Sequence, residues 1–293
     1  MPLSLLTLTR NRTALLADLL AALDAAPDPP AEVVVGVCGG DNPAPHLPSV
    51  GFPTRLLDVG SDGDRIPYSA ARNACARAAR ARNLLFLDAD CVPEPGALRA
   101  FDLALEATGG LCIGGLRYLP PGEHDLKDVV GLVEASRPHP ARPVPPAAGW
   151  TPSDAYELVW GLGIGIPKAA FVALGGFDTG YGGYAGEDTD LAVAARRAGV
   201  PLHVVAGATV FHRHHDVFEP PLQQLRATVA NAQRFRDKWG WWPMSGWLQA
   251  FADGGWIRWT PGAEMADVVR DPTPDEIEAV RETVAYAFRD EAP

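Results

Sequence analysis

The chain has 293 residues, 47% of them hydrophobic, which is enough to bury a full core in one large domain or one domain with an appendage. Its formal net charge of −11 leaves no basic stripe to release counterions from a polyanion. Nucleic acid is therefore excluded as the main partner, whereas a small anionic ligand neutralised by a metal is not. Cys38, Cys75, Cys91 and Cys112 fall at no zinc-like spacing and read as small buried hydrophobes in a reducing compartment. Leu3 to Leu8 is too short for a leader or a membrane span, and no later run reaches about 18 uninterrupted apolar residues, so a cytoplasmic protein with no membrane span is expected.

In chain order, Leu3 to Leu8 predicts a buried strand, and Thr13 to Ala25, with leucines at 15, 16, 19, 20 and 23, predicts a helix. Strands follow at 32–37 and 55–59, a helix from Ser69 to about Ala81, and a strand at 84–88. Short apolar runs alternating with helices are the pattern of a parallel sheet covered on both faces. Ligands in such sheets sit beyond the carboxyl ends of the strands, where Thr9, Asp41 and Asp88 to Asp90 fall. A helix at 95–107 and one strand from Leu111 to Tyr118 come next. Residues 137–152 carry six prolines and read as a long exposed loop. Beyond it, a short helix at 167–174, a helix from Glu187 to Ala198 closed by Gly199, and strands at 202–205 and 208–211 are expected. From Glu219 the pattern is helical to about Trp239. Six of the eight tryptophans then crowd between 239 and 259, as a satellite core, a dimer face or an acceptor platform.

Three constellations carry chemistry. Leu84-Leu85-Phe86-Leu87-Asp88-Ala89-Asp90 ends an apolar strand in two carboxylates spaced i, i+2, which would face the same way if the strand ran through them. Such a pair can hold a divalent cation and phosphates, although an isolated motif of this kind is more often a solvated acidic turn. The second is Gly175-Gly176-Phe177-Asp178 followed by Tyr184-Ala185-Gly186-Glu187-Asp188-Thr189-Asp190. Helix capping explains one or two of these acids, but the glycines leave room for a ligand, and Tyr184 offers a face for a sugar ring. The third is Phe211-His212-Arg213-His214-His215-Asp216, where one imidazole could complete a metal shell begun by Asp90.

Together with Thr7-Leu8-Thr9-Arg10-Asn11-Arg12 and Ala71-Arg72-Asn73, these segments in this order resemble the GT-A glycosyltransferases, closest to the family 2 type and to the galactosyltransferase C-terminal module with its Gly-Glu-Asp motif. The resemblance covers about residues 2 to 216. It implies an α/β fold of the GT-A, Rossmann-like kind, a mostly parallel sheet flanked by helices over residues 1–218, with 219–293 as a helical, Trp-rich extension. It further implies a metal-dependent enzyme, of the hexosyl- or N-acetylhexosaminyltransferase kind, moving a sugar from a nucleotide-sugar, UDP-sugar foremost, to a hydroxyl or amine. Mn2+ or Mg2+ would be held by Asp90 and His212, with Asp88 assisting and His214 as second choice. Thr7, Thr9, Asn11, Arg12, Asp41, Arg72, Asp88 and Asp90 would approach the donor. Asp188 would be the base of an inverting displacement, with Glu187 beside it, and Tyr184, Gly186, Glu187 and Trp160 would meet the acceptor, whether small molecule, carrier-bound or glycan. A homodimer is compatible with this reading. One departure is that Val35 to Gly40 precede Asp41 where many relatives carry acids for uracil, which weakens the uridine assignment relative to sugar-nucleotide use. The alternatives are a retaining transferase, a non-catalytic carbohydrate- or nucleotide-sugar-binding module, and a nucleotidyltransferase, which would want a glycine-rich loop where Thr9 to Arg12 has none.

Overall fold

The computed structural model describes residues 3–61, 63, 65–284 and 287–288. Its first half is β1 (Leu3–Thr9), α1 (Thr13–Ala25), β2 (Glu32–Val37), β3 (Thr54–Asp58), α2 (Tyr68–Ala78) and β4 (Asn83–Phe86). There follow β5 (Cys91–Pro93), α3 (Ala97–Thr108), β6 (Leu111–Ile113), β7 (Leu116–Tyr118), α4 (Val129–Ala135), β8 (Arg137–Pro138), β9 (Trp150–Ser153), β10 (Ile164–Pro167), α5 (Lys168–Ala173), α6 (Glu187–Arg197), β11 (Leu202–Val205) and β12 (Val210–His212). The tail holds β13 (Val217–Phe218), α7 (Leu225–Trp239), α8 (Ser245–Asp253), β14 (Ile257–Arg258), β15 (Asp267–Val268), α9 (Pro274–Ala279) and β16 (Arg281–Glu282).

The large sheet has the order β3-β2-β1-β4-β10-β6-β11-β9. Its β1 to β4 half and the β6-β11 pair are parallel, while β10 and the edge strand β9 run antiparallel to their neighbours. Period-2 alternation sorts the side chains onto two faces. Leu3, Leu5, Val33, Val35 and Leu85 meet α1 through the stripe Leu16, Leu19, Leu20 and Leu23, with Phe101 and Leu105 of α3 beside it. Leu6, Val34, Leu84, Phe86, Ile164 and Ile166 face the other way, onto α2, α5 and α6 through Cys75, Ala76, Phe171 and Leu191. The doubly covered sheet expected from the sequence is thus present. All four cysteines are buried and free.

Three expectations are corrected. The strand expected at 84–88 stops at Phe86, and Ala89-Asp90 lies in a turn closed by the Cys91 N–H donating to the Asp88 carbonyl at 3.0 Å. The two aspartates therefore do not share a strand face. The single strand at 111–118 is two, in different sheets, broken at Gly114-Gly115. A Cβ on Gly114 would collide with the Ala208 carbonyl, so only glycine allows that backbone approach. The second sheet, β5-β12-β7-β8, starts there and carries the His212 strand back beside Cys91. Helix α7 begins at Leu225 rather than Glu219, after Pro220 and Pro221. In the tail, α7, α8 and α9 carry most of the regular structure, and β13-β16 and β14-β15 add two short ribbons.

The tail has its own core of Leu225, Val229, Trp242, Leu248, Phe251, Ile257 and Trp259, with Trp242 edge-on to Trp259 at 6.0 Å. Of the three readings offered for the tryptophan cluster, the satellite core describes Trp242 and Trp259. No described helix is long and apolar enough to cross a membrane.

Candidate active site

The centre of the cleft is Arg72, projected from α2 and almost fully buried. Its Nη1 donates to Glu187 Oε1 at 2.6 Å and its Nη2 to Asp88 Oδ1 at 3.2 Å, so one guanidinium joins residues from both acidic motifs. The rings of Tyr68 and Phe177 lie 5.3 and 5.4 Å from it. Glu187 is buried and Asp88 half-buried, and two acids sharing one cation stay partly uncompensated. Burial pushes Asp88 up to about 6, helped by Asp90 and opposed by Arg72. Burial and then Asp188 push Glu187 up to about 7, again against Arg72.

Asp90 has different company. Arg12 Nη1 donates to its Oδ2 at 2.6 Å, His212 Nε2 lies 3.8 Å from Oδ1, and His215 Nε2 lies 3.6 Å from Oδ2. Burial would raise Asp90, but His212, Arg12 and His215 outweigh it and hold the carboxylate below its usual range. His212 is pushed down to about 4 by burial, against the pull of Asp90, so its imidazole is neutral and keeps a lone pair for a metal. Its Nδ1 has no partner, which leaves the Nε2 edge directed at Asp90. Asp90, Cys91 and His212 offer ligand atoms within 4.8 Å of one another. The Cys91 thiol is pushed well up by burial and stays protonated, so the ligands left in the group are the Asp90 carboxylate and the His212 imidazole. This donor set fits a divalent cation such as Mn2+.

Asp188 occupies the first turn of α6. The Gly161 N–H donates to its Oδ2 at 3.1 Å, and the Thr189 N–H and hydroxyl to its Oδ1 at 2.7 and 3.4 Å. A Cβ on Gly161 would run into the Arg72 guanidinium and lie 3.4 Å from Asp88 Oδ2, so this glycine brings the backbone in between the two motifs. The third acid of the turn, Asp190, is structural: it accepts from Tyr181 Oη at 3.0 Å, Trp239 Nε1 at 2.7 Å and Lys238 Nζ at 2.8 Å. Asp178 likewise takes Arg234 and Lys238 of α7. The glycines have local causes too. Gly186 has φ +98°, and its missing side chain makes room for the Tyr181 ring, while Gly176 has φ +74° and leaves room for Asn73, whose amide brackets the Phe177 backbone.

The predicted residues divide among several places. Thr7, Arg72 and Asp88 line one small recess with Cys75 and Leu87. Asn11 and Asp41 line a separate cleft of about 510 Å3 with Thr13 and His46, the Asp41 N–H donating to Asn11 Oδ1 at 3.0 Å. Thr7 and Thr9 are buried with unpartnered hydroxyls. Asp90 comes together with His212 as expected, whereas Asp88 goes to Arg72 and His214 lies 3.7 Å from Asp216. One face of Tyr184 is stacked on Trp247 of α8, with ring centroids 6.0 Å apart. Trp160 packs edge-on to His139 at 4.9 Å. Sequence reasoning missed His215, Gly161 and Arg142; of these only His215 had a signal, its place in the histidine run.

No protein-family model matches the chain, and no curated protein matches it. Solved structures do. The chain superposes on S. aureus TarS 1-349 with a TM-score of 0.52 at 14% identity, covering 79% of this chain and 64% of that one. TarS 1-349 in complex with UDP-GlcNAc gives a TM-score of 0.52 at 14% identity, over 81% and 71%. GalNAc-T7 with UDP, GalNAc and Mn2+ gives 0.55 at 14% identity, over 86% and 56%. The fold is that of the GT-A glycosyltransferases. This chain spans 64% of TarS 1-349 in one structure and 71% in the other, and 56% of GalNAc-T7 as crystallised.

Proposed function

We propose that the protein is a metal-dependent glycosyltransferase that moves a sugar from a nucleotide-sugar, a UDP-sugar foremost, to a hydroxyl or amine with inversion. The observation that carries this reading is the buried meeting of Asp90 with the neutral His212 imidazole, in one cleft with a second acidic pair at the start of α6. The GT-A fold supports it, as do neighbours crystallised with UDP, UDP-GlcNAc and Mn2+. Asp90 and His212 would hold the divalent cation, with His215 in reach of the same carboxylate, and the cation would supply Lewis-acid neutralisation of the departing diphosphate.

The chain's own groups do the rest. Asp188, fixed by two backbone N–H groups and the Thr189 hydroxyl, takes the proton from the incoming hydroxyl as it attacks the anomeric carbon. Arg72 holds Glu187 and Asp88 apart from that work and keeps their positions fixed relative to each other. Residues 1–218 form the transferase unit in this proposal, and 219–293 pack on it as an extension. Thermal shift with a panel of sugar nucleotides plus Mn2+, followed by assay of donor turnover, tests the function. Stabilisation by a nucleoside-diphosphate sugar only when metal is present is expected, and no stabilisation by any member of the panel would overturn it.

A further inference from the structure

Charges in the cleft are nearly all paired. Arg12 takes Asp90, and Arg72 takes Asp88 and Glu187. Two charged side chains are left over. Asp188 accepts only from backbone and hydroxyl donors, and Arg142 has no ion pair among the described carboxylates. Yet Arg142 is only 7% exposed. Its Nη1 donates to the Leu158 carbonyl, its guanidinium lies 5.5 Å from the centre of the Trp160 ring, and its Nε has no partner. Burial pushes Arg142 down to about 10, while Tyr118, Asp188 and Cys91 act on it across space. A guanidinium removed from water with no acid beside it is costly, and a bound anion is the natural compensation.

The position of Arg142 indicates which anion. Its guanidinium is held on the segment Leu158 to Trp160, and the next residue of that segment, Gly161, donates its N–H to Asp188, so one short stretch of backbone carries both the fork and the carboxylate. The other two guanidiniums, Arg12 and Arg72, are the ones bonded to the Asp88 and Asp90 motif. Arg142 also sits in the proline-rich segment, where Pro138, Pro140, Pro143, Pro145 and Pro146 restrict the backbone and its own N–H closes a turn onto the His139 carbonyl at 3.1 Å. A fork held this rigidly loses little entropy on binding.

We infer that Arg142 anchors an anion subsite beside Asp188, and that the acceptor carries a carboxylate or phosphate close to the hydroxyl that reacts. This rests on the reading of Asp188 as the base. The subsite selects against neutral acceptors because they would leave the guanidinium buried and unpaired.

Sulfate is a suitable probe, titrated calorimetrically into protein loaded with UDP and Mn2+ so that the donor site is filled. The wild type takes up sulfate, Arg142→Gln weakens that uptake at least tenfold, Arg142→Lys weakens it less, and UDP affinity stays within twofold in both variants. Equal sulfate affinity in wild type and Arg142→Gln, or none in the wild type, overturns the subsite. A tenfold loss of UDP affinity in Arg142→Gln assigns the anion to the donor's diphosphate and overturns the acceptor inference. If Arg142→Gln does not fold, Arg142→Lys carries the same comparison. Failure of the wild type to bind UDP with Mn2+ would instead overturn the proposed function, and the sulfate titration of unloaded wild type and variants would still decide the Arg142 site.

Discussion

The two acidic pairs of the cleft look alike in sequence and differ in what surrounds them. In each, one member is bonded to Arg72: Asp88 in the first, Glu187 in the second. The other members part ways. Asp90 sits among Arg12, His212 and His215, groups that hold it as a carboxylate and can share it with a cation. Asp188 receives only N–H and hydroxyl donors, none of which carries a charge. A carboxylate among imidazoles suits metal ligation, and one held by neutral donors alone is fixed in place without a cation of its own. In the proposed mechanism the chemistry at the two ends is divided by the neighbours each acid has, with Arg72 as the shared fixed point.

The largest expected effect breaks the second pair. Asp188→Asn should lower kcat by about 10²–10⁴-fold with donor affinity unchanged, read by steady-state turnover beside calorimetric titration of the donor; a variant that still turns over would remove Asp188 as base. Asp90→Ala, or EDTA on the wild type, should weaken UDP binding by roughly tenfold or more, and metal-independent affinity would remove the metal from the scheme. Arg72→Met leaves the buried Glu187 without its cation and should cost about 3–5 kcal/mol in denaturant unfolding. Asp190→Asn, which damages only the anchor to α7, should cost about 1–3 kcal/mol while sparing kcat.

The smallest effect is a pH dependence. Glu187 has a folded pKa near 7, above its ordinary 4.5, so the unfolded chain releases this proton first. The group's contribution to stability is therefore full below about 4.5 and lost as pH rises toward 7. Glu187→Gln should consequently gain stability relative to wild type between pH 5 and pH 8, by on the order of 1 kcal/mol, in parallel thermal melts. A difference independent of pH would mean that Arg72 keeps Glu187 ionised throughout.

Much of this arrangement was legible in the sequence. Leu3 to Leu8, Thr13 to Ala25 and Glu32 to Val37 gave their elements because burial on both sheet faces leaves long uninterrupted apolar runs. The pairing of Asp90 with His212 was implied by the family resemblance, the histidine run alone leaving three candidates, and the structure brings the two together. Other features had no local signature. The turn at Ala89-Asp90 depends on the chain leaving the sheet after Phe86, and the break at Gly114-Gly115 depends on the Ala208 carbonyl nearly a hundred residues later. Six prolines correctly excluded regular structure from most of 137–152, and most of the segment is exposed, but Arg142 folds back under Trp160 and is buried. Glycines before Glu187, read as room for a ligand, serve a left-handed backbone and the Tyr181 ring.

One side chain of α7 gives the tail a larger share in the site than its place at the end of the chain suggests. The Asn231 amide donates to the carbonyls of Gly182, Tyr184 and Ala185 and accepts from the Gly182 N–H, all 46 to 49 residues earlier. The loop that leads into Glu187 and Asp188 is thus cast against a template supplied by α7. Exchanging the tail for another would recast that loop, so the shape of the acidic motif depends on the final quarter of the sequence.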